Sequence, residues 1–308
     1  MGMRDVFGQT LGELMEKDEK IVVIDADLAG CDGTKNLRKL FPERALDVGI
    51  AEANMASIAA GMSSYGFKPW ITSFTPFATR RIADQLAISI AYAKQNVKIV
   101  GTDPGISAEL NGGTHMSVED IGVVRSIPGV VIFEPIDEVQ LRKAVPVIND
   151  YKGVVYVRMF RKDQPIITKE DYEFDLFKAD VLREGKDITL FATGIMTDTA
   201  LKAADELAKE GISVEVINVH TIKPIDEATV LNSLAHTKAG VVAENHNVLG
   251  GLYGAICEVT SRTAPVPILP VGIPDRFGEV GKMPYLREQM GMTLEDLIAA
   301  CKKALAMK

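Results

Sequence analysis

Over the first half of the chain, short apolar runs rich in β-branched residues alternate with longer runs of helical spacing. Six runs have strand character: residues 21–27, 45–48, 69–74, 97–102, 130–134 and 154–159. Between them, residues 3–15, 51–65, 77–92, 118–126 and 139–148 repeat their apolar positions at helical intervals. The strand-like runs are almost continuously apolar, as parallel strands are when both sheet faces are covered. This pattern points to an α/β class with a mostly parallel sheet between layers of helices. Periodicity is lost over residues 160–178, a charged stretch holding Pro165 that reads as a linker. It then restarts, with strands expected at 188–191, 214–219, 240–244 and 266–271 and helices at 200–209, 251–263 and 294–306. Two three-layer α/β domains are therefore expected, over residues 1–165 and 180–308. The 308 residues suffice for two cores.

Composition narrows the function. The net charge is −8 and no basic stripe stands out, which argues against nucleic-acid or anionic-membrane partners. No apolar run reaches membrane-spanning length, and the start of the chain reads as an amphipathic helix rather than a signal peptide. The expected location is the cytoplasm. Cys31, Cys257 and Cys301 lie far apart and are expected as free thiols in a reducing compartment. Four histidines argue against a His-rich metal site.

Several residues can carry chemistry, and each also has an ordinary structural reading. Asp47-Val48-Gly49-Ile50-Ala51-Glu52-Ala53-Asn54 joins the second strand to a helix that looks buried on most sides. Glu52, the acid at its head, is either a first-turn carboxylate answering the helix dipole or a functional acid. Asp25, Asp27 and Asp32 lie at or past the end of the first strand, where open α/β sheets place their ligands. Phe74 and Phe77 flank Pro76 at a strand-to-helix junction. They suit either a core or a flat heteroaromatic ring. Residues 104–115 form a glycine-bearing stretch that reads as an active-site loop and ends in Asn111-Gly112-Gly113-Thr114-His115. His115 suits proton transfer near neutral pH, or simply neighbours a helix cap. Arg4 and Arg158, near element ends, suit either the surface or bidentate capture of an anion. Gly250-Gly251 with Gly254 lacks the dinucleotide spacing and reads as a tight strand-to-helix turn. His246 reads as part of a polar turn.

Taken in chain order, Arg4, Asp27, Asp47-Val48-Gly49-Ile50-Ala51-Glu52, Ser73-Phe74 with Phe77, Gly112-Gly113-Thr114-His115, Arg158 and Gly272-Ile273-Pro274-Asp275-Arg276-Phe277-Gly278-Glu279 resemble the C-terminal half of transketolase. The resemblance covers nearly the whole chain. It implies a pyrimidine-binding domain over 1–165 and a transketolase C-terminal-like domain over 180–308. It also implies thiamine diphosphate as the electron sink for moving a two-carbon ketol unit from a ketose, phosphorylated or not, to an aldose. Glu52 would then hydrogen-bond N1′ of the cofactor's aminopyrimidine. Phe77, with Phe74 beside it, would form the wall for that ring, and Asp27 would lie at the cofactor. His115 would touch the donor sugar, and Arg4 and Arg158 would hold a sugar phosphate, with Arg161 close enough to take the second role.

Three positions depart from the family pattern. Asp103 stands where a phosphate-contacting His is expected, Cys31 where a Ser is expected, and Asn111 where an Asp reads a substrate hydroxyl. An acid at 103 repels a phosphate, so the usual pentose phosphates are in question. The Gly-Asp-Gly motif and later Asn that hold the diphosphate through Mg²⁺ (or Ca²⁺) are not found. The resemblance therefore implies the second subunit of a split transketolase, whose N-terminal diphosphate-binding partner supplies the metal site, in an α2β2 assembly by symmetry. The alternatives are the beta subunit of a 2-oxo-acid dehydrogenase and a half of deoxyxylulose-5-phosphate synthase. Gly112-Gly113-Thr114-His115 and Tyr156-Val157-Arg158 favour transketolase over the dehydrogenase.

Overall fold

The six strand-like runs of the first half form parallel strands, as their apolar character requires. In the computed structural model, which describes residues 1–308, they are β1 (Ile21–Asp25), β2 (Ala45–Asp47), β3 (Lys68–Phe74), β4 (Lys98–Thr102), β5 (Val131–Phe133) and β6 (Val155–Met159). Their order is β5-β6-β4-β3-β1-β2, every pairing parallel. The chain divides into two units, Met1–Pro104 with Val123–Leu176, and Gly105–Gly122 with Phe177–Lys308.

In the first unit, helix Met3–Lys17 buries Met3, Val6, Phe7, Leu11 and Met15 in one core with Trp70, Val100, Phe133 and Val157. Phe7 meets Trp70 at 5.7 Å between ring centroids. Each such side chain stabilises by about 1.5–3 kcal/mol when fully withdrawn from water. The sheet register aligns the strand ends: Asp25 pairs with both Asp47 and Thr72, Phe74 with Thr102, and Thr102 with Met159. The loops that follow five neighbouring strands, β2, β1, β3, β4 and β6, thus leave from one edge.

Three expectations need correction. Helix Glu52–Ser64 is buried along one face only, through Met55, Ala56, Ala59 and Ala60, while Ala53, Asn54 and Ser57 are exposed. Small side chains mimic burial in sequence because they suit either environment. The helix expected over 77–92 is broken into Thr75–Ala78, a 3₁₀ turn Arg80–Ile82 and a π-helix Gln85–Tyr92. Pro76 restricts the start, and Thr79 leaves helical geometry at φ −128°, ψ −86°. The expected linker over 160–178 has no regular element but is held in place. Asp137 accepts from the backbone of Ile167 and Thr168 at 2.8 and 2.6 Å, and Phe174 packs edge-on against Phe133.

The second unit carries a sheet of five strands: β7 (Asp180–Arg183), β8 (Ile188–Ala192), β9 (Val214–Asn218), β11 (Gly240–Asn247) and β12 (Ile268–Ile273). Their order is β12-β11-β8-β9-β7, parallel except for β7 against β9. The short strand β10 (Thr221–Lys223) follows β9. Strand β7 is an edge strand of four residues with little burial, so no apolar pattern announces it. Helix Glu227–Thr237 also escapes the periodicity, although Asp226 caps it by accepting from the backbone N–H of Thr229. No helix is long and apolar enough to cross a membrane.

Candidate functional site

The best-formed cluster lies in the loops past the C-terminal edge of the first unit's sheet. Asp47 builds the turn that presents Glu52. Its carboxylate accepts from the backbone N–H of Gly49 at 2.9 Å and of Asp27 at 3.0 Å, and pairs with Arg38 at 3.0 Å. Gly49 sits at φ +71° with open space around it, so the backbone angle, not crowding, requires glycine there. Arg38 also pairs with Asp25 through Nε at 3.1 Å. Burial raises the Asp25 carboxyl above its usual range, with Arg38 opposing. Asp27 is exposed and adopts φ +63°, its backbone N–H tied to Asp47.

Glu52 is the first residue of its helix and only 3% exposed. Sequence suggests purely apolar surroundings for it. Instead Arg81 reaches it, with Nη1 donating to Oε1 at 2.6 Å. The same guanidinium lies over the Phe77 ring, its Cζ 3.7 Å from the centroid. Phe77 in turn packs against Phe74 at 6.3 Å. A buried carboxylate and an aromatic face thus both bind one flat, delocalised cation. That pair of contacts is the one an aminopyrimidine needs: a face to stack on and a carboxyl at its edge. The residues present therefore fit the pyrimidine end of thiamine diphosphate. Sequence reasoning does not find Arg81. The break at Thr79, between Phe77 and Arg81, leaves no helical spacing that could have pointed to it.

Beside this pair, Asp103 is 1% exposed and holds φ +51° just past β4. Its carboxylate pairs with Arg161 Nε at 2.5 Å and accepts from the Arg161 backbone at 3.3 Å. The Arg161 guanidinium lies 5.4 Å from the Phe74 centroid. The Arg4 backbone N–H donates to the Arg161 carbonyl at 3.2 Å, and the Arg4 carbonyl crowds Gly33, where a Cβ would come within 2.0 Å. Arg4, the turn after half-buried Cys31, Asp103 and Arg161 therefore adjoin. Arg158 does not join them. It is fully buried and paired with Glu134 at 2.6 Å, because the Phe133–Val157 register sets those two side by side on neighbouring strands. Arg161, not Arg158, is the cation beside Asp103 and Arg4.

Asp32 is fully buried. Thr102 donates to its Oδ1 at 2.7 Å, while Oδ2 has no hydrogen-bond partner. Burial pushes this carboxyl up to about 7, the charges of Asp25 and Asp103 adding and the Thr102 hydrogen bond opposing. A carboxyl raised from 3.8 keeps its proton in the fold at pH values where the unfolded chain has lost it. Ionising it in the fold is therefore penalised, a cost absent below the unfolded value and complete once pH rises above about 7. Asp32→Asn should therefore raise the melting temperature by a few degrees at pH 8 and by less at pH 5, read by thermal scans at both. A larger gain at pH 5 would contradict this assignment.

His115 and Asn111 belong to the second unit, in the segment Gly105–Gly122. From sequence this stretch reads as a loop. It contains a 3₁₀ stretch, Gly105–Asn111, interrupted at Glu109 with φ 48°, ψ −115°. Asn245 accepts from the backbone of Ile106 at 3.0 Å, and Asn247 donates from its backbone to the Val118 carbonyl at 2.7 Å. His246 is fully buried, with Nε2 accepting from Gly122 at 3.3 Å and Nδ1 facing the Asn247 carbonyl at 2.7 Å. Rather than forming a polar turn, residues 245–247 end β11 and hold this segment. His115 is half-buried with Nδ1 at 2.9 Å from the Thr114 hydroxyl, and Asn111 is exposed. At Gly250-Gly251, Glu244 fills the start of helix Leu252–Thr263 by accepting from Leu252 and Tyr253 at 2.7 and 2.9 Å. A nucleotide phosphate has no place there, in line with the turn reading.

Residues 1–165 match the family model for the transketolase pyrimidine-binding domain, and residues 177–297 that for the transketolase C-terminal domain. The 6-deoxy-6-sulfo-D-fructose transketolase subunit SqwH of Clostridium sp. (strain MSTE9) is 49% identical over 99% of this chain and 95% of its own length. An apulose-4-phosphate transketolase subunit of Phocaeicola vulgatus is 34% identical, over 98% of this chain and 96% of its own. A split-gene transketolase solved as an inactive beta4 tetramer superposes with a TM-score of 0.91 at 40% identity, over 100% of this chain and 99% of that one. The chain belongs to the transketolase family, whose pyrimidine-binding and C-terminal domains it carries in that order.

Proposed function

We propose that this chain is the cofactor-activating subunit of a split transketolase, moving a two-carbon ketol unit from a ketose to an aldose. The observation that carries the reading is Glu52, buried at a helix start with its carboxylate at the edge of the Phe77 face. Thiamine diphosphate, when bound, supplies the electron sink for breaking the carbon–carbon bond. With the cofactor bound, Glu52 would share a proton with N1′ of the pyrimidine and Phe77 and Phe74 would hold the ring, while Asp27 borders the turn that carries Glu52. His115 contacts the donor sugar and Asn111 hydrogen-bonds a sugar hydroxyl. The diphosphate and its Mg²⁺ are held by a partner chain in an α2β2 assembly. The inactivity of the solved relative as a beta4 tetramer supports a requirement for that partner.

The charge layout favours a substrate with a singly charged tail. Arg4 and Arg161 are the cations at the expected anion end; Asp103 pairs with Arg161 at 2.5 Å and Asp5 lies 3.7 Å from Arg4. With both cations offset in this way, a singly charged sulfonate suits the site better than a phosphate monoester, which is largely doubly charged near neutral pH. The sulfofructose activity named for the Clostridium relative points the same way. The test is kcat/KM of the two-chain complex for ketoses that differ only in tail group. The sulfonate should exceed the phosphate by roughly tenfold, the effect of about 1.4 kcal/mol in the transition state. Equal or better turnover of the phosphate removes the reason for a sulfonate assignment.

A further inference from the structure

We propose that Arg81 is a built-in stopper, holding the place of the cofactor's pyrimidine until the ring displaces it. The inference rests on the reading of Glu52 and Phe77 as the pyrimidine site. Its support is geometric. The Arg81 guanidinium lies 3.7 Å from the Phe77 centroid, about the distance at which a stacked ring sits, and one of its N–H groups donates to Glu52 Oε1 at 2.6 Å. Guanidinium and aminopyrimidine are both flat and delocalised, and both present N–H donors at an edge. Each needs the same aromatic face and the same buried carboxyl, so the two exclude each other.

The local backbone aims Arg81 at this place. An unbroken helix from Thr75 would carry the residue along its side. Instead the chain leaves helical geometry at Thr79, whose hydroxyl is tied to the Thr75 carbonyl at 2.7 Å, and closes a 3₁₀ turn over Arg80–Ile82. The side chain of Arg81 is 43% exposed while Glu52 is 3% exposed. Arg81 can therefore swing into solvent at little cost, whereas Glu52 cannot follow. Glu52 keeps a charged partner while no cofactor is bound, which answers the penalty of an unpaired buried carboxylate. The Phe77 face is likewise covered rather than wet.

The consequence is a competition that appears in binding, not only in turnover. The probe is 4-amino-2-methylpyrimidine, titrated into the full chain and read by saturation-transfer NMR and calorimetry. Arg81→Ala should bind it roughly tenfold more tightly than wild type, the size of a cation–π contact and a partly exposed ion pair released together. Arg81→Lys should fall between the two, because an ammonium keeps the charge but not the stacking plane. Phe77→Ala should lose the probe whether or not Arg81 is present. Equal affinity of wild type and Arg81→Ala, with Phe77→Ala still losing the probe, overturns the stopper and leaves the pyrimidine site standing. Weaker binding by Arg81→Ala also overturns it, since Arg81 would then be a supporting contact. Absence of binding in every variant overturns the pyrimidine-site reading and the stopper together.

Discussion

Replacing Glu52 by Gln in the two-chain enzyme should lower kcat for ketol transfer by about 10²–10⁴, the usual weight of a positioned proton-transfer group. The amide keeps the size and one acceptor oxygen, so Arg81 retains a partner and the fold is unchanged. What it removes is the ability to share a proton with a ring nitrogen. The loss should therefore fall on kcat, with KM for the sugars nearly constant, because the role proposed for Glu52 is toward the cofactor and not the substrate. A matching loss in KM alone would mean that Glu52 supports the loop and not the chemistry. Circular dichroism of the variant separates that outcome from unfolding. The expected drop is large because Glu52 is the buried acid at this edge that meets the Phe77 face through a shared partner. Asp25 and Asp47 are committed to Arg38, and Asp103 to Arg161.

The purified chain alone should show no measurable two-carbon transfer at any cofactor concentration that saturates the two-chain enzyme. In the proposed arrangement Glu52, Phe77 and Phe74 address the pyrimidine end, and the sequence carries no Gly-Asp-Gly motif for the metal-bound diphosphate. A cofactor held by one end binds weakly, and a weakly held ring is not oriented for reaction. Titrating in a partner that carries the motif should restore activity with saturation at a fixed ratio of chains. Full turnover by the single chain would refute the split arrangement.

The fold is legible in the sequence because buried parallel strands need continuous apolar runs, and five of the first unit's six have them, the exception being the edge strand β2, whose burial falls off from Ala45 to Asp47. Strand β7 is not, being short, half-exposed and antiparallel at an edge. The helix expected over 77–92 fails for a local reason. Its apolar spacing holds, but Pro76 and the Thr79 backbone break it into three kinds of turn. That break is what sends Arg81 toward Glu52, a contact spanning 29 residues that no local pattern encodes. Arg158 misleads for the opposite reason. A charge inside an apolar strand looks functional until the neighbouring strand supplies Glu134. Asp103 reads as a bare negative charge, yet Arg161 neutralises it from the end of another strand. Charges at strand ends can be found from sequence, but their pairing depends on strand order.

The central claim is that this chain activates the cofactor of a two-chain ketol transferase. The most direct measurement uses the complex co-purified from the source cell, a ketose donor labelled with ¹³C at its first two carbons, and mass spectrometry of the product. Intact transfer of both labelled carbons to an aldose acceptor, lost in Glu52→Gln, is the expected result. No labelled pair reaching the aldose, with labelled carbon dioxide released instead in a parallel reaction given a ¹³C-carboxyl-labelled 2-oxo acid, would contradict it.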